Sequence, residues 1–435
     1  MFKRSSLFKV GLIALLTGAG FLAARAGYAT GPFVEPDAVA LYAYTSEQPG
    51  DSYGWASENL GDLNGDGVND FIVSAPFQIS NGTRTGKVYI YSGADGSLLH
   101  SIVGNPYDQL GYSVSGAGDV NADGIPDYIV GGRGSLIGPI PWKGRAMVVS
   151  GADHSLLHEF IGGDGDWFGA DVSAAGDVNG DGYGDVIVGA SHADFNGFQA
   201  GRVSVFSGAD GSVLWTDDGD SRNALLGSGV GVLGDLNGDG VPELIAGAHG
   251  ASTRGNPTKG RAYVYDGATG TVLFTLAPPA NAPFAHFGEF FTSNAGDVNA
   301  DGMSDIFVAD YNSSIEEKYA GQAFVYSGMD GSLLLTVSGQ AVDGLGPGRG
   351  IGDINGDGHA DLIVAAYTNS EGAPFAGKTS LISGADGAVL RTITGNIPGD
   401  LQGVDAVGLG DVNGDGAQDY LITGGASAYV VLGLP

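Results

Sequence analysis

Seven short loops carry the residues of this chain that are best suited to chemistry. The first loop, residues 62–70, reads Asp-Leu-Asn-Gly-Asp-Gly-Val-Asn-Asp. The pattern Asp-x-Asn-(Gly/Ala)-Asp-Gly-x-x-(Asp/Glu) opens again at Asp119, Asp177, Asp235, Asp297, Asp353 and Asp411. Calcium prefers six to eight oxygen ligands, which side chains at positions 1, 3, 5 and 9 and the carbonyl of position 7 supply. Glycine at position 6 permits the sharp backbone turn that such a loop needs.

Each loop is therefore predicted to bind Ca²⁺, with up to seven structural ions in the chain. The predicted ligands are Asp62, Asn64, Asp66, Val68 and Asp70 in the first loop; Asp119, Asn121, Asp123, Ile125 and Asp127 in the second; Asp177, Asn179, Asp181, Tyr183 and Asp185 in the third; Asp235, Asn237, Asp239, Val241 and Glu243 in the fourth; Asp297, Asn299, Asp301, Met303 and Asp305 in the fifth; Asp353, Asn355, Asp357, His359 and Asp361 in the sixth; and Asp411, Asn413, Asp415, Ala417 and Asp419 in the seventh.

The alternative for a single loop of this kind is an Asx-turn or an Asp-Gly hairpin. Seven copies favour metal, because a turn needs one Asp or Asn, whereas three clustered carboxylates repel each other unless a cation is present. Glu243 is the one carboxylate change in the series, and it keeps the charge. Calcium is favoured over zinc, since the chain has no Cys and no His cluster accompanies the loops.

Composition excludes several classes of partner. The chain has 435 residues, 79 of them Gly, and a formal net charge of −31. Nucleic-acid binding requires a basic face, and a peripheral anchor on anionic lipid requires basic residues too, so neither is expected. The absence of Cys excludes disulfides and lipoprotein attachment. Because each loop carries three carboxylates, much of the acidity is assigned to the predicted metal sites.

Residues 1–29 have the features of a secretory signal peptide. Lys3, Arg4 and Lys9 give a basic start, and an apolar run follows from Val10 to Ala24. Cleavage is expected after Ala26 or Ala29, and the less favoured alternative is an uncleaved anchor. We therefore expect a single domain over residues 30–435, secreted or periplasmic, with no membrane insertion after signal removal.

The acidic loops recur at intervals of 57, 58, 58, 62, 56 and 58 residues, which indicates an internal repeat. Each unit contains four short strand-like runs, here called strands A to D, with the acidic loop between A and B. In the first unit they are Tyr53–Gly61, Phe71–Val73, Lys87–Tyr91 and Ser97–Val103. Four antiparallel strands repeated seven times predict an all-β, seven-bladed β-propeller, with an open solenoid as the alternative.

The ends of the repeat array favour the closed ring. The last unit stops after its third strand, Ala428–Leu432, whereas residues Ala38–Tyr44 form a spare strand at the beginning. We expect this N-terminal strand to pair in the last blade as its missing strand D. Such closure removes the exposed sheet edges that an open array leaves.

The units resemble FG-GAP repeats, which form the propeller of integrin α subunits and occur in many bacterial secreted proteins. Phe168-Gly169 and Phe287-Gly288 match the first part of the repeat pattern, and Gln402-Gly403 departs from it. Close variants of that pair are Tyr53-Gly54, Leu110-Gly111, Leu226-Gly227 and Leu345-Gly346. The resemblance spans roughly Asp37 to Pro435. It implies a seven-bladed propeller with structural Ca²⁺ in the A–B loops, on the face opposite much of the ligand recognition.

Function is expected on that opposite face, where the B–C and D–A loops meet. The candidate aromatic platform for sugar or peptide comprises Trp142, Trp167, Phe195, Phe198, Phe284, Tyr319 and Phe375. For each ring taken singly, the favoured interpretation is that it fills a gap between blades. Five D–A loops also carry an Asp three residues before Gly: Asp51, Asp108, Asp166, Asp343 and Asp400. They form either a ring of carboxylates around the pore or, as favoured, turns in which Asp accepts backbone N–H groups.

Signals for catalysis are few. His192 and His249 both follow strand B in adjacent units and are candidates to face each other on one rim. The segment 316–319, Glu-Glu-Lys-Tyr, is a candidate acid–base group, with a solvated loop as the favoured interpretation. No nucleophile elbow, P-loop or zinc motif is present, so no catalytic residue is predicted.

The sequence therefore predicts a secreted, calcium-binding propeller that serves as an adhesion or recognition module for an extracellular protein or glycan. Two alternatives remain open: a polysaccharide-degrading lyase or hydrolase on a propeller scaffold, and a scaffold within envelope assemblies. Whether the protein is an enzyme is left uncertain, with a binding role favoured.

Overall fold

The computed structural model describes residues 31–134, 143–251, 260–279 and 286–434. The regular structure in these ranges is entirely β-strand. The signal segment and its cleavage sites, together with Trp142 and Phe284, lie outside the described residues. Within these ranges, no helix is long and apolar enough to cross a membrane.

The strands form seven four-stranded antiparallel sheets, and each sheet is one blade. The strands of the first half of the chain are β1 (Ala40–Thr45); β2 (Ser57–Gly61), β3 (Asp70–Ala75), β4 (Ile79–Ser80), β5 (Thr83–Arg84), β6 (Lys87–Tyr91) and β7 (Leu98–Val103); β8 (Leu110–Gly118), β9 (Asp127–Gly132), β10 (Lys143–Val149) and β11 (Leu156–Asp164); and β12 (Phe168–Gly176), β13 (Asp185–Ala190), β14 (Arg202–Phe206) and β15 (Val213–Asp218).

The strands of the second half are β16 (Leu226–Gly234), β17 (Glu243–Ala248), β18 (Ala262–Tyr265) and β19 (Val272–Leu276); β20 (Thr292–Gly296), β21 (Asp305–Asp310), β22 (Gln322–Tyr326) and β23 (Leu333–Ser338); β24 (Leu345–Gly352), β25 (Asp361–Ala366), β26 (Lys378–Ile382) and β27 (Val389–Thr394); and β28 (Asp405–Gly410), β29 (Asp419–Thr423) and β30 (Ser427–Val431). The predicted seven-bladed β-propeller is confirmed. A small extra hairpin, β4–β5, lies in the B–C loop of blade 1 and was not predicted.

The N-terminal strand closes the ring, as predicted. Strand β1 pairs antiparallel with β30, with Ala43 opposite Tyr429 and Tyr44 opposite Ala428, and completes the sheet β1-β30-β29-β28. The Tyr42 hydroxyl donates to the carbonyl of Ala94 at 2.8 Å, in the C–D turn of blade 1. The closing strand is therefore fixed to its own blade through the backbone and to the next blade through its side chains.

The hydrophobic core lies between neighbouring blades. In blades 1 to 6, strand B is buried along its whole length, because both faces of its sheet pack against adjacent blades. One cluster of buried aliphatic and aromatic residues fills each of the seven interfaces, for example Ile72, Ile90, Val114 and Tyr128 between blades 1 and 2. A single blade leaves these faces exposed, so the ring is the cooperative unit.

The inner strands line a central channel with a cavity volume of about 670 Å³. Polar side chains on its wall connect successive blades. Arg349 of blade 6 donates to Glu58 of blade 1 and to Asp405 of blade 7, at 2.7 Å in each case. Elsewhere on the channel wall, the Ser113 hydroxyl of blade 2 donates to Asp171 of blade 3. Asp171 also accepts the backbone N–H of Val230 of blade 4, and both distances are 2.7 Å.

Candidate metal centres and the far rim

The seven acidic loops all lie at one end of the blades, each between strands A and B. Their conformation is set by the first aspartate, whose carboxylate accepts backbone N–H groups from the loop. In loop 1, Asp62 Oδ1 accepts from Gly65 at 2.7 Å and from Asp66 at 3.1 Å, and Oδ2 accepts from Gly67 at 2.8 Å. Gly67 has φ +87°, a conformation that an L side chain rarely adopts. The position-6 glycine thus has the role predicted for it.

Positions 3 and 5 continue the same network and remain exposed to solvent. Asn64 Oδ1 accepts the backbone N–H of Asp66 at 2.9 Å, and Asp66 Oδ1 accepts that of Val68 at 2.9 Å. Carboxylate and amide oxygens have more than one lone pair, so these bonds leave acceptor capacity on the loop surface. The side chains at position 7 contact the blades and not the loop interior. Val68, Ile125 and Val241 pack against the blade cores. Nδ1 of His359 lies 2.7 Å from the carbonyl oxygen of Val298.

The position-9 acid differs from the others because it is fully buried in every loop. In loop 1, Asp70 Oδ2 accepts the N–H of Leu63 at 3.0 Å, and Oδ1 accepts that of Gly93, in the C–D turn, at 3.1 Å. The same pair of bonds recurs in loops 2, 3, 5, 6 and 7. Position 9 therefore joins the acidic loop to the segment that directly follows strand C. Sequence reasoning missed this role. The available signal was a glycine after strand C, which follows position 9 by 23 or 24 residues in loops 1, 2, 3, 5 and 6 and by 14 in loop 7.

The fourth loop has an additional acid. Asp266 occupies the place of the serine that begins the C–D turn in the other blades up to the sixth, and its ligand atom lies with those of Asp239 and Glu243 within 4.8 Å of one another. Among the described residues, the other loops do not bring three carboxylates this close. Burial raises the pKa of Glu243 to about 7, and the charges of Asp239 and Asp235 add to the effect, so a cation at this loop would relieve the repulsion.

The donor set of the acidic loops fits calcium. All the predicted side-chain ligand atoms are oxygens, as calcium prefers. The backbone of each loop is already folded around its first carboxylate, and the oxygens at positions 1, 3 and 5 have lone pairs left for an ion. Hydrogen bonds alone also describe an Asx-turn. The convergence of three carboxylates at the fourth loop is the observation that favours an ion over a simple turn.

The other end of the ring is formed by the B–C and D–A loops and is called here the far rim. Four of the predicted platform aromatics are exposed there: Phe195 at 61%, Phe198 at 47%, Tyr319 at 38% and Phe375 at 48%. Trp167 behaves differently, since it stacks on His192 with ring centroids 3.7 Å apart and lies under the guanidinium of Arg133. The favoured interpretation, that each ring fills a gap between blades, is therefore wrong for the four exposed rings, whereas Trp167 packs within the rim.

Cationic side chains cover one face of several exposed rings. Arg202 lies over Phe195, with its Cζ 3.3 Å from the ring centroid, and Arg202 is held by two bonds to Asp218 at 2.6 and 2.9 Å. Lys318 lies over Tyr319 at 5.4 Å. These contacts fix the orientation of the rings and leave apolar surface toward solvent.

The aspartates of the D–A loops act in turns, as favoured. Asp51 accepts the N–H of Tyr53, Asp108 that of Asn105, Asp166 that of Gly163 and Asp343 that of Gln340. Asp400 instead accepts the hydroxyls of Ser427 and Tyr429. In segment 316–319, Glu317 accepts the N–H of Ala341, which is a structural contact of the loop.

His192 and His249 both lie on the far rim, but their rings stack on other partners. The His249 ring stacks on His286, with centroids 5.2 Å apart, and its Nε2 lies 3.8 Å from Glu289 Oε1. Nδ1 of His286 lies 2.5 Å from Glu289 Oε2, to which the Tyr311 hydroxyl also donates at 2.8 Å. Burial by itself raises the pKa of Glu289, but His249, His286 and Tyr311 outweigh it and lower the pKa to about 2. Burial lowers the pKa of His249.

Two family models, both of them describing repeats, match parts of this chain. The family model described as FG-GAP repeat matches residues 54–91, 168–206, 226–265 and 350–382, and the FG-GAP-like repeat model matches residues 297–364. These segments fall in blades 1, 3, 4, 5 and 6, and each includes at least part of an A–B or B–C unit of the observed blades.

Curated relatives with significant similarity include integrin α subunits. Integrin alpha-5 of Xenopus laevis is 32% identical over 233 residues, which is 48% of this chain and 21% of the relative. Integrin alpha-8 of Mus musculus is 28% identical over 306 residues, or 62% of this chain and 27% of the relative. Integrin alpha-E of Mus musculus is 36% identical over 118 residues, or 24% and 10%. The chain thus matches about a quarter or less of the length of these relatives.

Proposed function

This chain is an FG-GAP-repeat β-propeller similar to integrin α subunits, and we propose that it is an exported recognition module that binds an extracellular protein or polysaccharide. Calcium in the seven acidic loops stabilises the ring in this proposal. The role of the ions is structural, because the loops lie at the end of the blades opposite the exposed aromatics. The secreted or periplasmic location follows from residues 1–29, whose basic start and apolar run are typical of export signals.

The observation that carries the proposal is the set of exposed aromatic rings on the far rim. Phe195 and Phe198 lie on one B–C loop, and Tyr319 and Phe375 lie on the corresponding loops of blades 5 and 6. Loops on a rigid scaffold are the usual location of ligand contacts, and aromatic rings offer apolar area at a low cost in side-chain entropy. The rings are exposed while the blade interfaces beside them are filled, so packing within the ring does not require them.

The proposal is tested by screening wild-type protein on glycan and extracellular-protein arrays, once in millimolar calcium and once in chelator. The double variant Phe195→Ala/Phe198→Ala is compared with Val389→Ala, a matched control because Val389 is a 60% exposed apolar side chain on the outer strand β27. We expect calcium-dependent binding to at least one ligand class, a loss of about tenfold or more in the double variant, and full binding in the control.

Two results would contradict the proposal. One is the absence of any calcium-dependent ligand on the arrays, and the other is equal binding by the wild type and the double variant. Release of soluble product from an arrayed polysaccharide would favour the lyase or hydrolase alternative instead. Far-UV circular dichroism and a melting curve for each variant establish that the ring is folded before binding is compared.

A further inference from the structure

A second group of potential metal ligands lies on the far rim, away from the acidic loops. It consists of His249, at the end of strand B in blade 4, and His286 and Glu289, in the D–A loop that leads into blade 5. One ligand atom from each of the three side chains lies within 4.8 Å of the other two. We infer that these residues form a site for a divalent transition-metal ion of the Zn²⁺ type, distinct in chemistry and position from the proposed calcium loops.

The chemistry of the three side chains selects the class of ion. Two imidazoles and one carboxylate are the ligand set of many three-ligand zinc sites, whereas calcium prefers oxygen alone. Zinc bonds of about 2.0–2.2 Å place tetrahedral ligand atoms roughly 3.3–3.5 Å apart. His249 Nε2 and Glu289 Oε1 are already 3.8 Å apart, and Nδ1 of His286 is 2.5 Å from Glu289 Oε2. Binding an ion therefore requires His249 to move slightly closer to Glu289, and His286 to exchange its hydrogen bond with Glu289 for a bond to the ion.

The surroundings hold the ligands in place as the outer shell of a metal site does. The Tyr311 hydroxyl donates to Glu289 Oε2 at 2.8 Å and orients the carboxylate. Asp310 Oδ1 accepts the backbone N–H of His286 at 2.9 Å and fixes this part of the loop against blade 5. The three ligands thus come from two blades, so an ion bound here would join blade 4 to blade 5 at the rim.

Two buried polar atoms beside the cluster have no hydrogen-bond partner among the described residues: Nδ1 of His249 and Oδ2 of Asp310. Neither atom is a proposed ligand, because His249 faces Glu289 through Nε2, and ordered water is the partner expected for such atoms. The His286 side chain is 30% exposed, while His249 and Glu289 are 15% and 16% exposed. Of the three side chains, that of His286 is therefore the most exposed to solvent.

The experiment measures Zn²⁺ binding to the full chain, produced without a polyhistidine tag and kept in saturating calcium so that the acidic loops are occupied. Competition with a chromophoric chelator gives the stoichiometry and affinity, and Co²⁺ substitution gives the visible absorption of a tetrahedral site. We expect the wild type to bind one equivalent of Zn²⁺ per chain. The affinity should fall at least tenfold in His249→Ala, His286→Ala and Glu289→Gln. Tyr311→Phe should weaken binding by about tenfold, because it removes only the orienting bond.

The matched control is His100→Ala. His100 and His154 also form a stacked pair, with ring centroids 4.2 Å apart, but they belong to no three-ligand group among the described residues. The control should bind Zn²⁺ as the wild type does. Absence of Zn²⁺ binding to the wild type overturns the inference, and so does equal binding by the control and the three ligand variants. If His249→Ala does not fold, His286→Ala and Glu289→Gln decide the question. None of these results bears on the array screen, because that screen varies calcium and the aromatic rings.

Discussion

Asp171 is the residue whose ionisation should be most visible in the stability of this protein. Its carboxylate is buried in the channel wall, where it accepts the Ser113 hydroxyl and the Val230 N–H, both at 2.7 Å. Burial raises its pKa from 3.8 to about 7, and these hydrogen bonds and the charge of Arg349 offset only part of that rise. The folded chain therefore binds a proton at Asp171 over a pH range in which the unfolded chain has released it.

The sign of the pH effect follows from this difference. Between pH 3.8 and about pH 7 the folded state holds more protons at this site, so the free energy of unfolding falls as the pH rises. Asp171→Asn removes the titration. We expect the variant to gain stability relative to the wild type by up to about 4 kcal/mol across this range, measured by urea unfolding at a series of pH values.

Asp95→Asn is the control for that series. Asp95 is an exposed turn residue, and hydrogen bonds from Ser97 hold its pKa below 3.8. The difference in the free energy of unfolding between Asp95→Asn and the wild type should change only below pH 3.8. There the wild type loses stability as the pH falls, which is opposite to the effect of Asp171. A flat difference between Asp171→Asn and the wild type from pH 4 to pH 7 would show that Asp171 is ionised in the folded ring.

At the scale of one element, the acidic loop contains two kinds of carboxylate. Asp66, at position 5, is exposed and bonds only within its loop, whereas Asp70, at position 9, is buried and accepts N–H groups from Leu63 and Gly93. An amide at position 66 still accepts the Val68 N–H. An amide at position 70 places an NH₂ group against a backbone donor, which costs about 1–3 kcal/mol.

Calcium titrations with Asp66→Asn and Asp70→Asn should separate these roles. In chelator, Asp66→Asn should be at least as resistant to urea as the wild type, because it removes one charge from the empty loop, and Asp70→Asn should unfold at a lower urea concentration. In calcium, both variants should be less stable than the wild type, because each removes a predicted ligand charge. Equal stability of Asp70→Asn and the wild type in chelator would contradict the bridging role of position 9, and calcium stabilisation of Asp66→Asn equal to that of the wild type would contradict its role as a ligand.

The sequence predicted the elements well because their signals are local and repeated. The acidic loop precedes a continuous apolar strand in every unit, and the C–D turn carries its glycine, so strand order and ring closure follow from the repeat pattern. Strand C of blade 1 has the predicted bounds. Strand A of the same blade begins at Ser57 and not at Tyr53, because the backbone N–H of Trp55 donates to the Ser52 carbonyl in a preceding turn.

The side-chain groupings could not be predicted because they join distant parts of the chain. Asp266 reaches the fourth loop from a different turn, and His249 meets Glu289 only because one blade ends beside the next. The contrast between exposed Phe195 and packed Trp167 depends on neighbours such as His192, which no pattern in the chain marks. The calcium ligands themselves remain a prediction that rests on residue type and loop conformation.

At the scale of the whole molecule, calcium should raise the stability of all seven blades together. An ion that binds only the folded state stabilises it by about 2.7 kcal/mol per site at a concentration of 100 Kd. Because the blades share their cores, the sites act on one cooperative unit, and their removal should lower the melting temperature by on the order of 10 °C or more. Scanning calorimetry of metal-stripped protein, with and without millimolar calcium, measures this difference.

The control for the calorimetry is an equal ionic strength of a salt of a monovalent cation, which screens the net charge of −31 without filling the loops. We expect the salt to recover only a small part of the calcium effect. A melting curve that is the same in chelator and in calcium would mean that the acidic loops stabilise the ring through hydrogen bonds alone.

The pairing of β1 with β30 has a consequence for how the protein is made. Ala40 and Val431 are opposite each other in the last sheet although the other strands of the ring lie between them in the chain. Contacts so remote in the chain form late, because the entropy of closing the intervening segment opposes them. A nascent chain on the ribosome therefore cannot close the ring until translation has passed Val431, and all seven blades are synthesised before the first strand can pair in the last sheet.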